Sequence, residues 1–453
     1  MSGSRDPDDF SELAELFGRA TEDADRIAVD PQAVAAARRR RRRRRIAGLV
    51  VVAVIVAAVG TYLPLTLLAT APGATLGMDP VTVAKPAVVA PALPPRGESA
   101  VSVLGADAFE GTAGTNGILA SNGGNGALPI ASISKLITAL VVLDAKPIGV
   151  SDAGPTLVFD KADHDLYDKY YVMQATVVQM DTGSRMSEHD ALNLMLVASA
   201  CNYADAVSTW AFGSPSRFLA ATKTWLAKNG LTGTRLVEPT GVDPHNVSTP
   251  SDLLAIGKLA LANPLIAATV AMQSVAAPGG GAVTNTNSLL HVDGITGIKT
   301  GTLDQAGSCL LFSAVMNIGA APPITVIGIV LGGESREGVN ADARAVLASV
   351  RSGFHEVPLL EKGQVLGSYT TPWKDDAQIV AGEGASVLTW SDTPITSTVK
   401  VDKIATGASG TKVGAVTFVG GKSTVVVPLV LRGSIAGPDG WWRIGHPGQL
   451  LGK

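Results

Sequence analysis

The sequence is poor in the residues that most often announce a chemistry. Two cysteines in 453 residues, Cys201 and Cys309, are too few for a disulfide framework and lack the spacing of a zinc site. At most they form one bridge. The six histidines, His164, His189, His245, His291, His355 and His446, are scattered without an HExxH pair, so neither a metal nor another cofactor is expected. Charged residues amount to 17% and the net charge is −3, which excludes the strongly basic surface of a nucleic-acid binder. Gly279-Gly280-Gly281 has no following Lys-Ser/Thr and reads as a flexible loop rather than a phosphate cradle.

What is present begins with an asymmetry of charge. Arg38 to Arg45 is an unbroken run of eight arginines, and Ile46 to Leu68 follows without a charged side chain. Twenty-three residues at about 1.5 Å each cross a hydrocarbon core of about 30 Å. Cationic flanks stay on the cytoplasmic side, so residues 1–45 are expected to be a disordered cytoplasmic tail and everything after Leu68 extracytoplasmic. A cleaved leader is the rival, helped by Ala69-Thr70-Ala71. The length of the apolar run, the long tail before it and Pro72 directly after it count against a cut.

Residues 69–97 carry Pro72, Pro80, Pro86, Pro91, Pro94 and Pro95, the composition of an extended stalk that does not pack. Residues 98–356 read as one α+β unit. Short strands at Ser99–Val103 and Gly117–Ser121 precede a buried helix over Pro129–Asp144, with Ile133, Leu136, Ile137, Leu140 and Leu143 at helical spacing. A second helix is expected over Ser187–Trp210, opened by Ser187 and Asp190, and a third from Thr249-Pro250. Strands at 294–299, 309–316 and 324–331 and a last helix over Ala341–Phe354 complete the unit. Residues 357–453 change to short strands between Gly, Thr, Asp and Pro, a small all-β domain with no visible repeat.

Three short motifs carry chemistry. Ser132-Ile133-Ser134-Lys135 sets a hydroxyl at a helix start and an amine one turn later on the same face. A lysine of lowered pKa can take a serine proton and create a nucleophile. Ser199-Ala200-Cys201-Asn202 is a polar cluster interrupting an apolar helical stretch. Lys299-Thr300-Gly301-Thr302 ends a strand, with a cation, two hydroxyls and a glycine that lets a substrate backbone come close. Each alone is weak, but the three in this order are specific.

Together they resemble the SxxK, SxN and KTG motifs of the penicillin-recognising active-site serine enzymes, and within them the low-molecular-mass D-alanyl-D-alanine carboxypeptidases. The resemblance covers about Glu98 to Leu431. It implies a β-lactamase/transpeptidase-like domain, an antiparallel sheet with helices on both faces, followed by the β domain. It implies Ser132 as acylated nucleophile, Lys135 as its base and Ser199 as proton relay. Lys299, Thr300, Gly301 and Thr302 would bind the substrate's terminal carboxylate, and the N–H groups of Ser132 and Thr302 would form the oxyanion hole. Peptidoglycan stem peptides would be the substrate, β-lactams the inhibitors, and the N-terminal helix the membrane contact.

One position departs from the pattern: where SxN has its amide, this chain has Cys201, with Asn202 one residue later. Either Asn202 shifts into place, or the site works with a cysteine, or the domain only binds cell wall. Transpeptidation, in which an amine replaces water as acceptor, shares all three motifs. A class A β-lactamase would need a deacylating Glu in an E-x-x-L-N loop, and Glu238-Pro239-Thr240-Gly241-Val242 offers the Glu alone.

Overall fold

The computed structural model describes residues 31–106, 109, 117–319 and 321–452. It opens with helix α1, Pro31–Leu67, in which the arginine run and the apolar run form one continuous helix. Residues 31–45 are therefore helical rather than disordered. Ala and Arg are strong helix formers, and Pro31 occupies the first helical position, where no donor is lost. The tail over residues 1–30 lies outside the described residues. Among the described residues one helix, Val34–Leu67, is long and apolar enough to cross a membrane.

The segment expected to be a free stalk instead packs. Strand β1, Thr75–Met78, pairs antiparallel with a strand near the C-terminus, and Val81 and Val83 lie against the same apolar core. The prolines fall outside the paired residues, so no ladder donor is missing there.

A five-stranded antiparallel sheet forms the centre of the larger unit. Its strands are β2 (Glu98–Leu104) and β3 (Ala120–Asn122), then β4 (Ile295–Leu303), β5 (Gly307–Met316) and β6 (Ile324–Gly333), in the order β4-β5-β6-β2-β3. Alternate residues feed two cores: Leu311, Ile327 and Ile329 face a helical layer, while Leu310, Phe312 and Val326 face the other side. That helical layer holds α2 (Ser134–Ala145), α3 (Glu188–Val197), α4 (Cys201–Phe212) and α5 (Pro250–Ala262). Every residue of α2 from Ser134 to Leu143 is buried, the pattern of a helix surrounded by protein. On the opposite face lies α6 (Arg336–Ser352), whose Val339, Ala343, Val346 and Val350 pack on the sheet. It starts five residues earlier than its periodicity suggests, at the Ser335 N-cap, and Phe354 already belongs to the next strand.

The remaining strands are β7 (Phe354–Leu360), β8 (Val365–Thr370), β9 (Asp376–Ala381), β10 (Ala385–Trp390), β11 (Ile395–Val401), β12 (Lys412–Gly420) and β13 (Ser423–Arg432). They make a six-stranded sheet, β1-β8-β9-β13-β12-β11, and a β7-β10 ribbon. A boundary at residue 357 runs through the middle of β7. Phe354 and Trp390, at the end of that ribbon, stack edge-to-face and pack into the core of the larger unit, while Val357 and Val387 belong to the core of the smaller.

The helix expected over Ser187–Trp210 is two helices. Ser199 takes a left-handed φ of +63°, and the Ala200 N–H reaches back to Leu194 O at 3.3 Å, a helix C-terminal closure that redirects the chain into α4. Neither Gly nor Pro marks the break, which is why apolar periodicity runs through it.

At the first turn of α3 stands Glu188, fully buried, and among the described residues neither of its carboxylate oxygens has a hydrogen-bond partner. Burial pushes its pKa up to about 7 from 4.5. The neutral acid is the form the fold accepts, so stability is full below about pH 4.5 and falls as pH rises through 7, by about 3 kcal/mol. Glu188→Gln should therefore be progressively more stable than the native chain between pH 5 and pH 8 in denaturant melts. Parallel pH profiles would contradict this assignment.

Candidate active site

Ser132 lies in a single 3-10 turn, Ala131–Ile133, that leads into α2. Ala131 is held at φ +46°, a left-handed conformation costly for alanine, and Ser134 Oγ donates to its carbonyl at 2.8 Å. The strain lifts Ser132 to a half-buried position while Lys135, one turn on, is wholly buried. Lys135 Nζ donates to Ser132 Oγ at 3.0 Å and to the Thr240 carbonyl at 2.7 Å. The spacing of SxxK is thereby realised as a direct hydrogen bond.

The second hydroxyl arrives from the break between α3 and α4. Ser199, at the left-handed residue, is 4% exposed and its Oγ accepts from Lys299 Nζ at 2.9 Å. Lys299, on β4, is 1% exposed and also donates to Thr300 O at 3.3 Å. Burial, and next to it the positive charge of Lys135, hold its pKa well below the usual lysine range. Thus 132, 135, 199 and 299 converge on one pocket from a turn, a helix, a helix break and a strand.

Glycine is required where these elements touch. Gly301, on β4, passes so close to the Ser132 turn that a Cβ would stand 2.9 Å from Ile130 O and 3.3 Å from Ser132 N. Gly241, at φ +86°, leaves no room for a side chain beside the Ala131 carbonyl. On the far side, Thr300 Oγ1 donates to Thr286 Oγ1 at 2.7 Å, and Arg336 Nε donates to Thr302 Oγ1 at 3.2 Å. Arg336 is exposed at the first turn of α6. Arg336 was not singled out by sequence; Thr240 and Gly241 were read there only within the Glu238–Val242 loop, and Thr286 only within Asn285-Thr286-Asn287 upstream of the KTG triplet. A lone arginine 34 residues beyond Thr302 has no local signal.

Asn202 does not move into the place of the missing amide. It is fully buried, its Oδ1 accepts from Val178 N at 3.2 Å, and its Nδ2 donates to Val178 O at 2.7 Å. Both ends of the amide are spent on backbone. Cys201, at the first turn of α4, is the residue within electrostatic reach of Lys299. Both thiols are free, and Cys309 is buried on β5 with its pKa pushed up to about 11.

Glu238 is similarly committed. Its carboxylate accepts from the N–H groups of Thr240 and Gly241, both at 2.6 Å, and from Asn246 Nδ2 at 2.8 Å. It shapes the loop that presents the Thr240 carbonyl to Lys135. Among the described residues no group of three or more His, Cys, Asp or Glu side chains is placed to hold a metal ion.

The fold and this pocket define an active-site serine architecture of the penicillin-binding type. The model of the peptidase S11 family, D-alanyl-D-alanine carboxypeptidase, matches residues 108–335, half of the chain, and the chain belongs to that family. A D-alanyl-D-alanine endopeptidase of Escherichia coli K12 is 32% identical over 214 residues, 45% of this chain and 64% of the relative. A D-alanyl-D-alanine carboxypeptidase of Salmonella typhimurium, DacD, is 25% identical over 261 residues, 56% of this chain and 64% of the relative. Both matches thus span less than two thirds of the relatives' own length. Penicillin-binding protein 6B of Escherichia coli superposes with a TM-score of 0.51 at 20% identity, over 79% of this chain and 99% of that one. That likeness speaks for the fold, a mixed α+β penicillin-binding architecture.

The different commitments of neighbouring residues separate in stability. Asn202→Ala orphans a buried N–H and C=O and should cost about 2–4 kcal/mol of unfolding free energy, against about 1 kcal/mol for Cys201→Ala. Equal losses in denaturant melts would contradict the assignment of Asn202 to the fold.

Proposed function

We propose that this chain is a serine D,D-carboxypeptidase that removes the terminal D-alanine from peptidoglycan stem peptides through an acyl-Ser132 intermediate. The observation that carries this is the pair of lysine-to-serine hydrogen bonds, Lys135 to Ser132 and Lys299 to Ser199, made by two buried amines within electrostatic reach of each other. Ser132 Oγ attacks the carbonyl carbon of the penultimate D-alanine, and Lys135, hydrogen-bonded to that oxygen, takes the proton. Backbone N–H groups of Ser132 and Thr302 receive the developing oxyanion. The peptide C–N bond breaks as Ser199 passes a proton to the departing D-alanine amine. Water then cleaves the ester and Ser132 regains its proton.

Recognition of a chain end follows from charge. Lys299 is a buried amine whose charged form is disfavoured by burial and by Lys135, and a substrate carboxylate would supply it with a counter-charge. Arg336, bonded to Thr302, offers a second cation at the rim beside Thr300 and Gly301. Cys201 takes the place of the motif's amide, so the substrate backbone loses one amide partner. The endopeptidase name of the 32%-identical relative supports a second reading with the same acyl-enzyme and a larger leaving group. Transpeptidation differs only in the acceptor.

Glu238 has its oxygens engaged by the loop, so an ester formed from penicillin lacks a deacylating carboxylate and persists. With α1 as a single membrane span and its arginines on the cytoplasmic side, the pocket faces the cell wall. The full chain incubated with a fluorescent penicillin should gain the intact mass of one ring-opened drug. Ser132→Ala should abolish the adduct, and Lys135→Ala should slow its formation by about 10²-fold or more. A folded native chain that gains no mass, or an adduct that survives Ser132→Ala, would overturn the proposal.

A further inference from the structure

The last residues of the chain are not a strand of the β sheet but two short helical turns, α7 (Gly440–Gly445) and Pro447–Leu450. They lie against the end of α1 that is remote from the arginines. Tyr62 Oη donates to Ile444 O at 2.5 Å, and Arg443 Nη1 donates to Leu67 O at 3.3 Å and Ala69 O at 2.6 Å. The guanidinium thus caps carbonyls that a helix C-terminus leaves without partners. Thr66 is the one buried residue of α1 from Val34 to Leu67, and Gly440 packs on Leu67. On its other side the same segment is tied to the β sheet. Trp442 stacks on His446 and meets Trp373 edge-to-face, Trp373 Nε1 donates to Ala436 O at 3.0 Å, and Ala436 N donates to Asp375 Oδ2 at 3.0 Å.

Trp441 does not join that stack. It is 83% exposed, with Leu68 at 83%, Leu65 at 55% and Leu451 at 49%, so an apolar rim surrounds the point where α1 leaves its apolar run. What covers the rim follows from its continuity with the span: a bilayer containing α1 ends at this level. Tryptophan beside the end of a span is the side chain that the headgroup zone accommodates, apolar ring inward and N–H toward water. Charge is not the attraction. The carboxylate and guanidinium of the segment are spent, Asp439 accepting from Trp442 N and Arg443 capping α1.

We propose that Gly440–Leu451 is a membrane-interface collar, locked to the anchor by Tyr62 and Arg443, with Trp441 seated in the headgroup zone of the leaflet where α1 emerges. The inference rests on α1 as a membrane span. The collar joins the anchor to the β sheet, so the pocket stands at a set height above the membrane rather than at the end of a free tether.

The test uses the full chain in phosphatidylcholine bilayers, with and without phosphatidylglycerol, containing lipids brominated either near the headgroup or near the chain end. Shallow bromines should quench tryptophan fluorescence equally in both lipid mixtures and more than deep ones. Trp441→Phe should remove more than about half of that quenching. Arg443→Gln, with an unchanged melting temperature, should weaken it. Quenching insensitive to Trp441→Phe, in protein that alkaline carbonate leaves in the bilayer, would overturn the collar alone. Quenching confined to the anionic mixture would overturn recognition of the interface in favour of charge. Release by carbonate would overturn the anchor and the collar with it.

Discussion

Two lysine amines, Lys135 and Lys299, are buried within electrostatic reach of each other, and neither has an ion pair among the described residues. Burying cations unpaired costs several kcal/mol each, so the surrounding structure must supply hydrogen bonds in fixed positions. Each amine is met by one serine hydroxyl and one backbone carbonyl, from Ser132 and Thr240 for Lys135 and from Ser199 and Thr300 for Lys299. Much of the neighbouring architecture answers that demand. Glu238 folds its loop so that the Thr240 carbonyl points inward, Gly241 and Gly301 let the loop and the strand close on the Ser132 turn, and the chain bends at Ser199 to bring its hydroxyl within reach.

The same constraint explains what the sequence could and could not show. Ser132 and Lys135 were legible because helical spacing alone brings them together, and the Thr249–Pro250 helix start because capping is local. The strands of the central sheet were legible from their β-branched runs. The break at Ser199 was not, because a left-handed serine without glycine leaves the apolar pattern intact. Nor was the fate of Asn202, whose partner Val178 lies 24 residues away. Arg336 joins the pocket through a tertiary contact that no local pattern records. Composition misled at the proline-rich segment, where four residues between the prolines found an exposed sheet edge to pair with.

Beyond the pocket, the chain links a helix long and apolar enough to cross a membrane to a β sheet, and the sheet to the α+β unit, through strand pairing and packed side chains. β1 ties the segment after α1 into the sheet, and Phe354 with Trp390 joins the ribbon to the core of the larger unit.

The proposed function requires the paired lysines and serines to form a working acyl-transfer site in spite of Cys201. It is tested most directly by giving the full chain a peptide ending in two D-alanines and measuring free D-alanine alongside the shortened peptide. One D-alanine should be released per peptide shortened, with continued turnover that requires Ser132. A folded protein that binds the peptide yet releases no D-alanine would contradict it.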